Sequence, residues 1–227
     1  QYLKKQRQQK QLYSHLNFYT MFGLSKKEVA RKEKYLQICG ALGLNYLDND
    51  EFGTKSYLRG FELFRKGNGK IRNLSQIKSH TLDVEINLFD YRYRISTGKT
   101  VITYDQTVFF VNSKQLGLPE FFMKPETIGH KISAFLGWED IDFESYPVFS
   151  NAYHLTGENE EFIRHHFDDT ILRFFSKTSG WSIEAANYYL IFYADNTLVP
   201  ENILADFYRL AHGVYELFID KNELPKV

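Results

Sequence analysis

The sequence predicts an α+β fold of mostly antiparallel strands packed against helices, ending in an amphipathic helix. Three observations point there. Of the 227 residues 43% are hydrophobic and 17% aromatic, with 20 Phe and 16 Tyr, which suits broad sheet faces. Phe89 to Ile95 alternates apolar and polar residues, and Val101 to Val111 is a second β-branched and aromatic run beyond Ser96-Thr97-Gly98-Lys99; this predicts a hairpin with Gly98 at positive φ. Near the C-terminus Ile203, Phe207, Leu210, Val214 and Phe218 form one helical stripe, with Asn202, Asp206, Arg209 and Glu216 facing away.

The remaining elements follow in chain order. Ser25-Lys26-Lys27-Glu28 is a capping box, so a helix should run from Lys26 towards Cys39 and stop at Gly40 or Gly43. Leu44 to Leu47 reads as a short strand and Asp48 to Gly53 as a polar turn. The turn fails as a calcium loop, because its fifth and twelfth positions are Phe52 and Arg59. Tyr57 to Phe64 reads as one short helix, Gly67-Asn68-Gly69 as a turn, and Lys70 to Ser75 and Thr81 to Ile95 as strands. The apolar residues of the latter switch parity, from Leu82, Val84, Ile86 and Leu88 to Phe89, Tyr91, Tyr93 and Ile95. That predicts a bulge or a sharp twist near Leu88-Phe89. Beyond an apolar run at Leu118 to Met123, a helix is expected over 127–136 and a strand at Tyr153 to Leu155. Helices should begin near Asn159 and Asp169, the second capped by Asp168 or Asp169. A second hairpin, Trp181 to Glu184 with Tyr188 to Tyr193, should turn at Ala185-Ala186-Asn187, and Pro200 should open the last helix.

The net charge is zero, but the first 36 residues carry nine cations and two anions, a net of +7, which leaves the rest at −7. An acidic body argues against a nucleic-acid face, so nucleic acid is an unlikely partner. Lys4, Lys5, Arg7 and Lys10 have the composition of a segment just inside a membrane. With Gln1 in place of an initiator methionine, this predicts a transmembrane anchor upstream and places the domain in the cytoplasm. Residues 1–24 are then a juxtamembrane segment and 25–227 an α+β domain, with a boundary near Pro125 that would give lobes 25–125 and 126–227. The single cysteine, Cys39, leaves no internal disulfide and reads as core.

Few residues suggest chemistry. Gly98-Lys99-Thr100 has the ending of a phosphate loop, but Tyr93 replaces the required glycine and a strand replaces the required helix. Asp140, Asp142 and Glu144 would line one face of a strand, where solvent, a lysine or arginine, or a hard cation such as calcium or magnesium would offset their repulsion. His165 and Asp169, or Glu161 and His165, are four residues apart and could share a metal, although adjacent His165 and His166 on a helix point about 100° apart. Asp90, Arg92, Arg94, Lys99 and Asp105 could form a polar docking patch on the first hairpin. No nucleophile signature appears.

The stretches FDYRY at 89–93 with GKTVITYDQTV at 98–108, KPE at 124–126, DIDFESYPVFSNAYHLTG at 140–157 and IRHHF at 163–167 together resemble a scattered family of uncharacterised bacterial proteins. The resemblance spans roughly residues 40 to 220. It implies transmembrane helices ahead of a soluble α+β domain and supplies no activity or catalytic residue. The expected function is therefore a non-enzymatic, membrane-anchored module that binds a protein partner and needs no cofactor. The alternative is a metal-assisted hydrolase using segment 139–144 and a histidine.

Overall fold

Ser25 caps α1 (Lys26–Leu42) as its sequence predicts: its hydroxyl accepts from the Glu28 amide, and the Glu28 carboxylate accepts from the Ser25 amide. The helix passes through Gly40 and stops at Gly43, whose φ of 70° closes it in the left-handed conformation. The computed structural model describes residues 25–48, 53–67, 69–79, 83–126 and 138–219. The basic arm with Lys4, Lys5, Arg7 and Lys10, most of the polar turn at 48–53 and the helix expected over 127–136 lie outside the described residues.

After α1 come β1 (Asn45–Leu47), α2 (Thr54–Leu58), α3 (Glu62–Arg65), β2 (Lys70–Lys78), β3 (Val84–Ser96), β4 (Val101–Ser113) and β5 (Leu118–Pro125). Then follow α4 (Pro147–Ala152), β6 (Tyr153–Gly157), α5 (Glu160–His166), α6 (Asp169–Lys177), β7 (Ser182–Asn187), β8 (Tyr189–Tyr193) and α7 (Leu204–Ile219). The strands form one eight-stranded sheet in the order β1-β2-β3-β4-β8-β7-β5-β6, with every neighbouring pair antiparallel. The fold is α+β. The C-terminal hairpin β7–β8 is inserted between β4 and β5, so one sheet runs across position 125.

The sheet buries both faces, unequally. On one face Leu88, Phe109, Phe121, Ile183 and Phe192 join side chains of α1 and α4–α7 in the larger core. On the other, Phe89, Tyr91, Phe110, Ile191 and Tyr193 meet Leu58, Phe61 and Leu63 under α2 and α3. This explains the parity switch in β3. Ile86 and Leu88 enter the first core, and Phe89, Tyr91 and Tyr93 the second, so no residue changes face. The register of β3 with β4 is unbroken from Val84 to Ser96. The predicted bulge lies instead in the partner strand: Asn73 and Leu74 stand opposite Phe89 alone, and Asn73 takes a φ of 52°.

Other expectations shift locally. The helix expected over Tyr57 to Phe64 is two short helices broken at Arg59 to Phe61. The second hairpin turns at Asn187 (φ 54°) and Tyr188, later than Ala185, because Ala185 and Ala186 still pair with Leu190 and Tyr189. Pro200 lies in a turn ahead of α7. That helix buries Phe207, Val214 and Phe218, while Ile203, in the turn just before it, is exposed. Residues 140–144 form no strand: Ile141 bonds the Leu155 carbonyl, and the chain then turns at Glu144-Ser145. Asp168 caps α6, accepting from the amides of Thr170 and Ile171.

Candidate functional site

Asp90 belongs to the polar docking patch expected on the first hairpin, yet it is not exposed. It is buried at the foot of α1. Arg31 reaches it from the helix with two bonds, Nε to Oδ2 at 2.5 Å and Nη2 to Oδ1 at 2.8 Å. Tyr35 Oη, Thr107 Oγ1 and Asn73 Nδ2 donate to the same carboxylate at 2.8, 3.0 and 2.9 Å. Arg31 Nη1 also donates to the Val199 carbonyl at 3.0 Å. Burial alone would lower the Arg31 pKa, but the Asp90 hydrogen bonds and charge raise it above its ordinary value. Every partner is satisfied, so this cluster joins α1, the sheet and the loop before α7. It is structural.

Chemistry gathers on the other half of the sheet, on the face that carries α2 and α3. In β5 Phe122 and Lys124 share that face, opposite Glu184 of β7 and His154 of β6. Glu184 is 2% exposed and acts as a remote cap for α3. Its carboxylate accepts from the amides of Glu62 at 2.5 Å and Leu63 at 3.2 Å, and from Tyr193 Oη at 2.7 Å. Burial pushes the Glu184 carboxyl upward, with Lys124 opposing. Lys124 is 1% exposed. Its Nζ lies 4.1 Å from the centre of the Phe122 ring and 3.9 Å from Glu62 Oε1, and it makes no hydrogen bond among the described residues. Burial therefore dominates and pulls the ammonium from the ordinary 10.5 to about 8. Beside this cluster lies a cavity of about 140 Å³ walled by Tyr57, Phe61, Phe122, Trp138, Glu184 and Tyr189.

Sequence reasoning missed both Lys124 and Glu184. The available sign was a charge inside a strand buried on both faces: Lys124 follows Phe121-Phe122-Met123, and Glu184 lies between Ile183 and Ala185.

The acidic segment contributes one residue. Asp140 meets His154, with Oδ2 2.9 Å from Nδ1, and Glu126 brings a third donor; the three ligand atoms lie within 4.8 Å of one another. Asp142, Glu144, His165 and Asp169 do not join this group. Asp142 and Glu144 are exposed, and the Asp142 carbonyl accepts from Arg164. His165 lies on the exposed side of α5, and Asp169 pairs with Arg173 at 3.7 Å. His166 is buried against Phe162.

The predicted docking patch is divided. Arg92 is held by Asp105, Nε to Oδ1 at 2.6 Å, and approaches Glu28 at 3.6 Å. Arg94 and Lys99 lie farther out. Residues 94–103 are exposed without interruption, and Ile95, Val101 and Ile102 show 37%, 62% and 44% of their surface. This tip reaches past the strands that flank it. Pairing with β2 ends at Arg92, and pairing with β8 covers only Val108 to Asn112.

No protein-family model and no curated protein matches the chain. Among solved structures, the crystal structure of the mycobacterial trehalose monomycolate transport factor A, TtfA, is similar, with a TM-score of 0.57 at 11% identity over 87% of this chain and 97% of that one. At that identity the likeness shows a shared fold. No helix among the described residues is long and apolar enough to cross a membrane.

Proposed function

We propose that this chain is a non-enzymatic interaction module working at a membrane, and that it engages a protein partner through the tip of the β3–β4 hairpin. The carrying observation is the uncovered tip itself. Ile95 and Ile102 are cross-strand partners on one face and Val101 lies on the other, with the cations Arg94 and Lys99 beside them. Solvent-facing strands ordinarily carry polar or charged residues; three β-branched apolar side chains at a projecting end match a surface covered on binding. The fitting partner offers an apolar strip bordered by carboxylates. Further support comes from the fold, which a transport factor also uses, consistent with accessory work in a membrane assembly. Lys4, Lys5, Arg7 and Lys10 suit an anionic lipid surface, where each cation near the membrane contributes about 1 kcal/mol. The resemblance to anchored bacterial proteins supports the same reading, with the anchor upstream and the domain in the cytoplasm.

The test is photo-crosslinking in the native cell from a reactive residue placed at Lys99. One dominant membrane-associated protein adduct is expected, and it should disappear when Val101 and Ile102 are both replaced by Asp. Surface changes of this kind shift stability by about 0.5 kcal/mol or less, so the variant stays folded in a thermal melt. Adducts that persist unchanged in the variant overturn the reading.

A further inference from the structure

We infer that Glu126, Asp140 and His154 form a binding site for a divalent transition-metal cation. The three donors come from separate parts of the chain: the residue after β5, the loop before α4, and β6. They converge because the loop is tied to β6 at two points. Ile141 N donates to the Leu155 carbonyl at 2.7 Å, and Leu155 N donates to Asp140 Oδ1 at 2.9 Å. The second bond fixes the Asp140 carboxylate and turns its other oxygen towards His154 Nδ1.

The imidazole is also held. Its side chain is 13% exposed, and Nε2 is buried without a hydrogen-bond partner among the described residues. Nδ1 faces Asp140 Oδ2, so a cation shared with Asp140 binds at Nδ1 and the ring proton sits on Nε2.

The donor set decides which cation. Calcium and magnesium favour oxygen ligands alone, and copper(I) favours sulfur. One imidazole with two carboxylates suits zinc, manganese or iron(II). Around tetrahedral zinc, bond lengths of about 2.1 Å place donors roughly 3.4 Å apart. The donors here lie within 4.8 Å, so small rotations of Glu126 and Asp140 close the set. Two carboxylates offset the dication's charge, and three protein ligands leave a coordination position for solvent or a partner's carboxylate. Lys124 pairs with His154 across the strands but does not oppose the cation: its ammonium lies over Phe122, away from Glu126 along β5.

The experiment uses tag-free protein stripped with EDTA and dialysed, then titrated with zinc chloride and manganese chloride by calorimetry. One saturable equivalent of zinc per chain is expected, with a rise in melting temperature. His154→Ala and Asp140→Asn should each weaken zinc binding at least about tenfold, the scale on which donors and their supports act. His165→Ala should leave it unchanged. Glu126→Gln provides an independent reading if His154→Ala unfolds, with cobalt(II) absorption reporting the ligand field. Absence of saturable binding, or equal binding by wild type, His154→Ala and Glu126→Gln, overturns the site.

Discussion

Arg31 and Asp90 form a bidentate ion pair between α1 and the centre of β3, with both side chains about nine-tenths buried. The geometry matches the guanidinium fork to the carboxylate, and Thr107 and Tyr35 fill the remaining positions. The pair is one of the joints that fix the helix to the sheet, beside the ion pair of Glu28 with Arg72 and the Cys39–Ser75 contact.

Asp90→Ala should therefore destabilise the fold by about 3–5 kcal/mol, because it leaves the buried guanidinium with only the half-exposed Glu201 carboxylate, 3.4 Å from Nη1, as counter-charge. Arg31→Met combined with Asp90→Leu should cost much less than the sum of the two single changes, since neither charge then remains. Urea melts of the four proteins form a double-mutant cycle. Additive losses would show that the pair is not coupled.

Lys124 makes stability depend on pH. The unfolded chain holds this proton to about 10.5, the folded chain to about 8. Between those values the unfolded state binds more protons, so this residue makes stability rise with pH, by at most roughly 1.4 kcal/mol per unit. Cys39, whose thiol burial pushes up, slopes the opposite way in part of the window, and Tyr35 and Tyr193, also raised by burial, do so above about pH 10. The informative quantity is thus the difference between wild type and Lys124→Met from pH 7 to 10. The variant should lose the upward contribution and be at least as stable as wild type at pH 7. Parallel pH profiles would refute an ammonium held in this state.

Two glycines should respond oppositely to alanine. A Cβ at Gly157 would lie 2.3 Å from Ile163 Cδ1 and 2.5 Å from the Glu120 carbonyl oxygen. The backbone oxygen cannot yield as a side chain can, so Gly157→Ala should cost about 1–3 kcal/mol. Gly213 lies inside α7 with nothing within 4 Å of its Cβ position. Gly213→Ala should stabilise by about 0.5–1 kcal/mol through helix propensity. Thermal melts that rank the two in the reverse order would disprove the packing at β6.

The elements were legible where local chemistry decides them. Ser25 with Glu28, Asp168 before α6, and the Phe89–Ile95 alternation each carry their own structural instruction within a few residues. Expectations failed where distant chain decides. The parity switch in β3 reflects helices covering opposite faces, information held in residues 54–65 and 204–219 rather than in β3. Among the site residues, Asp140 is visible as a carboxylate, but the histidines that the sequence brings forward are His165 and His166, in α5. His154 reaches it because β6 pairs with β5 and the 140–141 backbone docks on β6, a contact no spacing encodes. Lys124 and Glu184 were hidden similarly, each in an apolar strand and joined only through the sheet and α3.

The hairpin tip offers the last test. Thr97 N donates to the Thr100 carbonyl at 2.9 Å, closing a tight turn, and Gly98 adopts a φ of 83° with open space around its Cβ position. Substitution there is opposed by backbone conformation alone. Gly98→Val should cost roughly 1 kcal/mol or more, because a β-branched residue resists positive φ. Lys99 is an exposed turn residue, so Lys99→Ala should change stability by less than about 0.5 kcal/mol. Denaturant melts of both variants, with ATP and GTP titrated into the wild type, separate a turn from a phosphate loop. A strand, β4, follows Thr100 where a phosphate loop needs a helix N-terminus, so no saturable nucleotide binding is expected. Nucleotide binding lost in Lys99→Ala would overturn the hairpin reading, and equal tolerance of both substitutions would show that the positive φ of Gly98 is not required.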